Sequence, residues 1–137
     1  MTADGNAYRI APSPDPDYER FALAAGYRVG DLIFLSGQVG VDQEGAIAKN
    51  EPERQIRQAM ANIDRLLRVS GSSLAKVVKT TTYLTDMAHV GVWLQVKTQL
   101  LAKPWPAGTV VEVSRLGHPD VVVEIDVVAL ANGDKIG

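Results

Sequence analysis

Near its end the chain carries the stretch that decides its fold, Val121-Val122-Val123-Glu124-Ile125-Asp126-Val127-Val128-Ala129-Leu130. Because side chains alternate between the two faces of a strand, the odd-numbered positions give one wholly apolar face. The even-numbered positions give a second face that mixes apolar and acidic side chains: Val122, Glu124, Asp126, Val128 and Leu130. Both faces of this predicted strand therefore need cover, since an apolar face left bare would aggregate.

Earlier segments supply the other elements of a sheet and its first helix. Tyr27–Val29 and Leu32–Ser36, joined by Gly30-Asp31, predict a hairpin of two strands. Residues 51 to 70 predict a helix that stops at Gly71, because their apolar side chains recur at the helical period. That stripe consists of Ile56, Met60, Ile63 and Leu67, with Ala59 and Leu66 beside it.

The middle of the chain predicts a strand, a second helix and another strand. Val77–Leu84 is dense in β-branched residues and favours a strand. Asp86 can cap a helix from Met87 to about Ala102. Its buried stripe is predicted as Met87, Val90, Leu94 and Leu101. Residues 109 to 115 predict a strand before the final one.

This order predicts one α+β domain over residues 1–137, with a proline-rich lead-in at residues 1–18 that suits an extended segment or edge strand. Two helices can cover one face of a mixed sheet, and the two strand–helix–strand crossings would place parallel pairs in it. Nothing in the chain remains to cover the other sheet face. We therefore expect a partner subunit there.

Composition excludes several classes of protein. The 137 residues are 46% hydrophobic and 22% charged, as in ordinary globular domains, and cysteine is absent, which excludes disulfides and thiolate chemistry. A net charge of −2 without a basic run argues against a nucleic-acid partner. His89 and His118 lack ligand-like spacing, so no metal or other cofactor is expected. Without an apolar segment of roughly 20 residues, we expect no membrane association and a cytoplasmic location.

Several segments resemble the RidA family, also called the YjgF or endoribonuclease L-PSP family, over about residues 19 to 131. The likeness is carried by Arg28–Gln38, Gln55–Gly71, Val77–Thr81 with Thr85–Met87, Pro106-Ala107, Val111–Val113 with Arg115-Leu116, and Val123–Ile125. The resemblance implies a chorismate-mutase-like α+β fold, assembled as a homotrimer with ligand clefts between subunits. It also implies hydrolysis of reactive 2-imino acids, or of their enamine tautomers, to 2-keto acid and ammonia.

The resemblance further implies where a small-molecule substrate would bind. Glu124 matches the carboxylate that positions water, and Ser36-Gly37-Gln38 matches a pocket rim. In active members an arginine that can clamp the substrate carboxylate directly follows the Pro-Ala pair, but here that residue is Gly108. Phe21, Leu23 or Tyr27 would stand where a pocket tyrosine lies. The remaining candidate substrate-binding residues are Leu94, Lys97, Trp105, Ala107, Thr109 and Val110.

Three functions remain open. The first is a RidA-like enzyme that acts on an imine, an enamine or a related metabolite, with weak or absent activity on the usual 2-imino acids because the arginine is missing. The second is a trimeric protein that binds a small ligand or regulates a partner without catalysis, in which Glu124 is a strand carboxylate bonded to backbone or interface water. The third, an RNA-directed activity, requires a basic surface that the charge count does not show. Lys97 or an arginine from a neighbouring subunit could restore a positive charge.

Overall fold

The computed structural model describes residues 5–10 and 17–137, which form a seven-stranded sheet and three α-helices. The helices are α1 (Asp17–Arg20), α2 (Pro52–Val69) and α3 (Val90–Leu100). The strands are β1 (Ala7–Arg9), β2 (Gly26–Val29), β3 (Leu32–Leu35), β4 (Gln38–Val39), β5 (Val77–Leu84), β6 (Ala107–Glu112) and β7 (Val123–Leu130). The predicted order of hairpin, helix, strand, helix and two strands is confirmed, whereas the last two strands each begin two residues away from their predicted starts. The single domain remains a prediction.

The sheet runs in the order β1-β2-β3-β7-β5-β6, with β4 also paired to β7. Among the strands that the structure describes, only β5 and β6 form a parallel pair, and the other pairings are antiparallel. The prediction of a parallel pair from the crossing through α3 is therefore confirmed. The crossing through α2 makes β3 and β5 run in the same direction, but β7 inserts between them and bonds to both.

Helix α2 packs on the sheet through the predicted stripe, whose side chains are almost fully buried. Gln55 fixes this helix to the chain before β7. Its side-chain amide donates to the carbonyls of Ala48 and Asp120 and accepts from the backbone N–H of Val122. A buried amide with all these partners costs little to bury and holds α2 in one position.

The buried stripe predicted for the second helix is wrong except at Leu101, which is buried. Residues Met87–His89 form a 3-10 turn, on which Asp86 caps the N–H of Ala88, and α3 begins only at Val90. Trp93 and Val96 point into the core, whereas Leu94 is 56% exposed. This segment is apolar around much of its circumference, so periodicity does not identify the buried side. Burying the large Trp93 ring decides it.

Helices α2 and α3 cover the same face of the sheet, and the opposite face is open. On that open face the hairpin and β7 present a contiguous apolar area of Tyr27, Val29, Leu32, Phe34, Val128 and Leu130. Phe34 is 44% exposed there, and Tyr27, its antiparallel partner, is 42% exposed. Strand β1 is an edge strand, as the lead-in suggested, while residues 1–4 and 11–16 of the lead-in lie outside the described residues.

Candidate active site

Glu124 stands on the open face of β7, directly under the backbone of Gly37. The chain leaves β3 at Leu35, kinks through Ser36-Gly37 and pairs again with β7 as β4, where Val39 lies opposite Glu124. A Cβ atom at position 37 would stand 2.6 Å from Oε2 of Glu124. Glycine is therefore required at the kink for the carboxylate to keep this position.

Ser36 and Gln38 hold the kink through their side chains. The hydroxyl of Ser36 donates to the carbonyl of Ala24. The buried amide of Gln38 donates to the Tyr18 hydroxyl and, over 3.0 Å, to the carbonyl of Ser36. These bonds fix both side chains beside the backbone of Gly37, where the rim is predicted.

Burial and one neighbouring charge on the open face set the electrostatics of Glu124. Burial raises its pKa above the usual value, and the nearby charge of Asp126 raises it further. The charge of Asp126 is also the largest cause that raises the pKa of Tyr83. Because β5 places Tyr83 opposite Glu124, the three side chains form one acidic cluster on the open face. A carboxylate with a raised pKa is a stronger base than a solvated one and suits the acceptance and return of a proton.

Gly108 lies on the other side of the sheet, beside α3. It is paired with Thr80, which is 1% exposed on the helix-covered face. A Cβ atom at position 108 would stand 3.0 Å from Oγ1 of Thr80 and 3.9 Å from Nζ of Lys97. The Lys97 ammonium also lies 5.9 Å from the centre of the Trp93 ring. The position that lacks an arginine thus has a lysine from α3 next to it.

One chain does not bring Glu124 and Gly108 together. Their partners on β5, Tyr83 and Thr80, are separated by about 10 Å along the strand. Strands β7 and β6 are the two neighbours of β5 and lie roughly 10 Å apart. Glu124 and Gly108 also face opposite faces of the sheet. The predicted site residues therefore form two half-sites, an acidic one around Glu124 and a basic one around Lys97.

The remaining candidates divide between these half-sites. Val110 follows Gly108 on the helix-covered side and packs against the core, whereas Ala107 and Thr109 face the open side of the edge strand. Leu94 and Trp105 are exposed. The surface groove lined by residues 51–54 and 57 includes none of them.

The sequence leaves three candidates for the position of the pocket tyrosine, and the structure places them in different segments. Phe21 and Leu23 lie in the exposed loop after α1, and Tyr27 lies on the open face of β2. The bonds from Ser36 to the carbonyls of Ala24 and Ala25 bring the end of this loop next to the rim.

Sequence reasoning did not assign a site role to Tyr83 or Asp126. The signal for Asp126 was present, because alternation places it on the same face as Glu124, two residues along β7. For Tyr83 there was no such signal, since only the register between β5 and β7 brings it to Glu124.

Comparison with known proteins extends over nearly the whole chain. The family model described as endoribonuclease L-PSP matches residues 11–131. A RutC family protein of Pyrococcus horikoshii is 35% identical over 120 residues, which cover 87% of this chain and 90% of that protein. The protein mmf2 of Schizosaccharomyces pombe, named as mitochondrial, is 37% identical over 87 residues, 64% of this chain and 68% of that one.

A solved structure agrees with these sequence matches. The crystal structure of RidA from an Antarctic Psychrobacter is 32% identical and superposes with a TM-score of 0.73, over 78% of this chain and 86% of that one. Among residues 5–10 and 17–137, no helix combines the length and apolarity that crossing a bilayer requires. Because one of these relatives is named as mitochondrial, the cytoplasmic location remains a prediction. Fold, family model and relatives agree that the chain belongs to the RidA family, also called the YjgF or endoribonuclease L-PSP family.

Proposed function

We propose that the protein hydrolyses a small imine or enamine to a carbonyl compound and ammonia in clefts between subunits of a homotrimer. The observation that carries this proposal is the half-buried Glu124 carboxylate, whose pKa is raised and which lies against the Gly37 backbone, beside Asp126 and opposite Tyr83. A carboxylate with a raised pKa is a stronger base than a solvated one and suits proton transfer to and from water.

The chemistry needs only one shuttling carboxyl group. Glu124 takes a proton from water as the water oxygen bonds to the imine carbon, and the proton passes to the imine nitrogen. Glu124 then accepts the proton of the new hydroxyl group and transfers it to the amine nitrogen while the C–N bond breaks. The products are the carbonyl compound and ammonia, and the reaction consumes neither an oxidant nor a cofactor.

A cleft between subunits follows from the two half-sites. The open face around Glu124 carries an exposed apolar area next to it, which a second copy of the chain can cover. If the copy presents its edge strand β6 and helix α3 to this face, the acidic half-site of one subunit meets the basic half-site of the other. The two half-sites do not meet among residues 5–10 and 17–137 of a single subunit.

Ammonia release from 2-imino acids, generated in place by an amino-acid oxidase, tests the proposal. The protein should accelerate release over spontaneous hydrolysis, and the variant Glu124→Gln should lose most of this acceleration. Because Gly108 offers no guanidinium, we expect rates well below those of arginine-containing relatives. Equal release with wild type, Glu124→Gln and no protein would contradict the proposal.

A second candidate is a trimer that binds a small ligand without catalysis. It is favoured by the bare backbone at Gly108 and by Leu94, an apolar side chain at an exposed position of α3. Native mass spectrometry of the assembly would support it if a small molecule is retained while imine hydrolysis stays at the spontaneous rate. RNA-directed activity gains no support from the site, because Glu124 and Asp126 would repel phosphate.

A further inference from the structure

We propose that Lys97 is the carboxylate anchor of the cleft and takes the place of the arginine that Gly108 lacks. The inference rests on the proposed function for its location and deepens it by naming a specificity-determining residue and the class of ligand, a small carboxylate. The positive charge comes from a residue of helix α3 instead of strand β6, but it lies beside the same point of the sheet.

The first support is the position of the ammonium group. Nζ of Lys97 lies 3.9 Å from the point where a side chain at position 108 would begin. An arginine there would carry its guanidinium carbon four bonds beyond Cβ, a reach of about 5 Å. The Lys97 charge therefore lies within reach of an arginine side chain at position 108. It is closer to strand β6 than the guanidinium group would be.

The second support is that the ammonium lacks an anionic partner in the part of the chain that the structure describes. Within the described residues, the Lys97 side chain forms neither an ion pair nor a hydrogen bond. Its recorded contact is the face of the Trp93 ring, 5.9 Å away, and Trp93 is buried in the core. Stacking on a fixed ring holds the charge in place while leaving its three N–H donors available to a ligand.

The third support is the surface beside Lys97. Gly108 is exposed and has no side chain, so a ligand can approach the backbone of β6 closely. Strand β6 is the edge of the sheet, and an edge strand leaves backbone N–H groups unpaired on its outer side. An ammonium group with neighbouring backbone donors is a suitable environment for one carboxylate.

Lysine and arginine would bind this carboxylate differently. A guanidinium group forms two parallel hydrogen bonds and fixes the carboxylate plane, whereas an ammonium group acts as a point charge. We therefore expect weaker orientation of the ligand than in arginine-containing relatives, but a clear requirement for negative charge. A neutral ligand of the same shape should not benefit from Lys97.

Binding of 2-oxobutanoate, a stable carboxylate with the shape of a 2-keto acid product, tests the inference by calorimetry. The full-length protein should bind it, and Lys97→Met should weaken binding about 10- to 100-fold, the usual loss for a charged hydrogen bond. Lys97→Arg should retain most of the affinity. The neutral analogue 2-oxobutanamide should bind wild type and Lys97→Met equally. Lys49→Met is the matched control, because Lys49 is exposed and pairs with Asp120.

The outcomes separate this inference from the proposed function. Unchanged 2-oxobutanoate binding by Lys97→Met, or no binding by wild type, would overturn the role of Lys97. Lys97-dependent binding without ammonia release from imines would uphold the anchor and contradict the proposed hydrolysis. Ammonia release that Lys97→Met leaves unchanged in KM and kcat would uphold the hydrolysis and overturn the anchor.

Discussion

The backbone of Gly37 covers the carboxylate of Glu124 so closely that a single added methyl group would stand 2.6 Å from Oε2. Because the nearest atom belongs to the end of a flexible side chain, Gly37→Ala should move the carboxylate rather than the strands. We expect a loss of about 100-fold in kcat/KM, as for other small misplacements of a reacting group, with little change in melting temperature. Steady-state kinetics and thermal unfolding of the same preparation check this. A large drop in melting temperature would instead assign Gly37 to the core.

Glu124→Gln should lower activity and increase stability. The amide cannot shuttle a proton, so kcat/KM should fall roughly 10²- to 10⁴-fold. Burial and the charge of Asp126 raise the pKa of Glu124 in the folded chain, so the folded state holds its proton more tightly than the unfolded state. Wild-type stability should therefore fall as pH rises from the unfolded pKa through the folded pKa.

The pH dependence of unfolding distinguishes this effect from general stabilisation. Above the folded pKa, Glu124→Gln should melt at a higher temperature than wild type. At a pH below the unfolded pKa, where the wild-type carboxyl group is already protonated, the difference should disappear. The idea fails if the two proteins melt at the same temperature above the folded pKa.

Asp126→Asn should shift the pH profile of the reaction toward acid. Asp126 is the second cause of the raised pKa of Glu124, after burial, and removing its charge should lower that pKa in part. If ionised Glu124 acts as the base, the acid limb of kcat/KM moves to lower pH. Asparagine has nearly the same size and shape as aspartate, so the local structure should persist. A limb that stays in place would show that Glu124 is not the group that titrates.

Adding the arginine alone should not restore the family's usual activity. In Gly108→Arg the new Cβ would lie 3.0 Å from Oγ1 of Thr80, a tight contact, and the guanidinium would enter beside the Lys97 ammonium. The double variant Gly108→Arg with Lys97→Met removes the like charge. Its kcat/KM for 2-imino acids should exceed that of Gly108→Arg at least tenfold, since repulsion between like charges in a cleft costs about 1.4 kcal/mol or more. Equal activity of both variants would show that Lys97 does not reach this position.

The elements of the fold could be predicted where one face alone is apolar. The stripe of α2 and the alternation of β7 each have one solution, and both were predicted correctly. Apolar residues surround much of α3, so its sequence does not identify which side is buried, and the prediction that Leu94 is buried was wrong. The order of strands in the sheet depends on long-range pairing, such as the insertion of β7 between β3 and β5, which local periodicity does not contain.

The site was predictable one residue at a time but not as an arrangement. Glu124 and Gly108 were recognised from the resemblance, whereas their placement on opposite faces depends on the register of three strands. The proximity of Lys97 to Gly108 likewise needs the packing of α3 against β6. Residue types could therefore be predicted from the sequence, and the two half-sites could not.

The exposed apolar area on the open face gives a test of assembly that does not depend on activity. Phe34 lies at its centre, with Tyr27 on one neighbouring strand and Val128 on the other. Phe34→Asp should place a charge in the proposed interface and dissociate the homotrimer, as measured by light scattering at micromolar concentration. The folded chain should persist, because Phe34 lies outside the core under α2 and α3.

Ala61→Asp, at an exposed position of α2, introduces the same charge elsewhere and should leave assembly intact. If each active site combines half-sites of two subunits, Phe34→Asp should lose imine hydrolysis together with assembly, whereas a wild type that scatters as a single subunit would rule out the shared cleft.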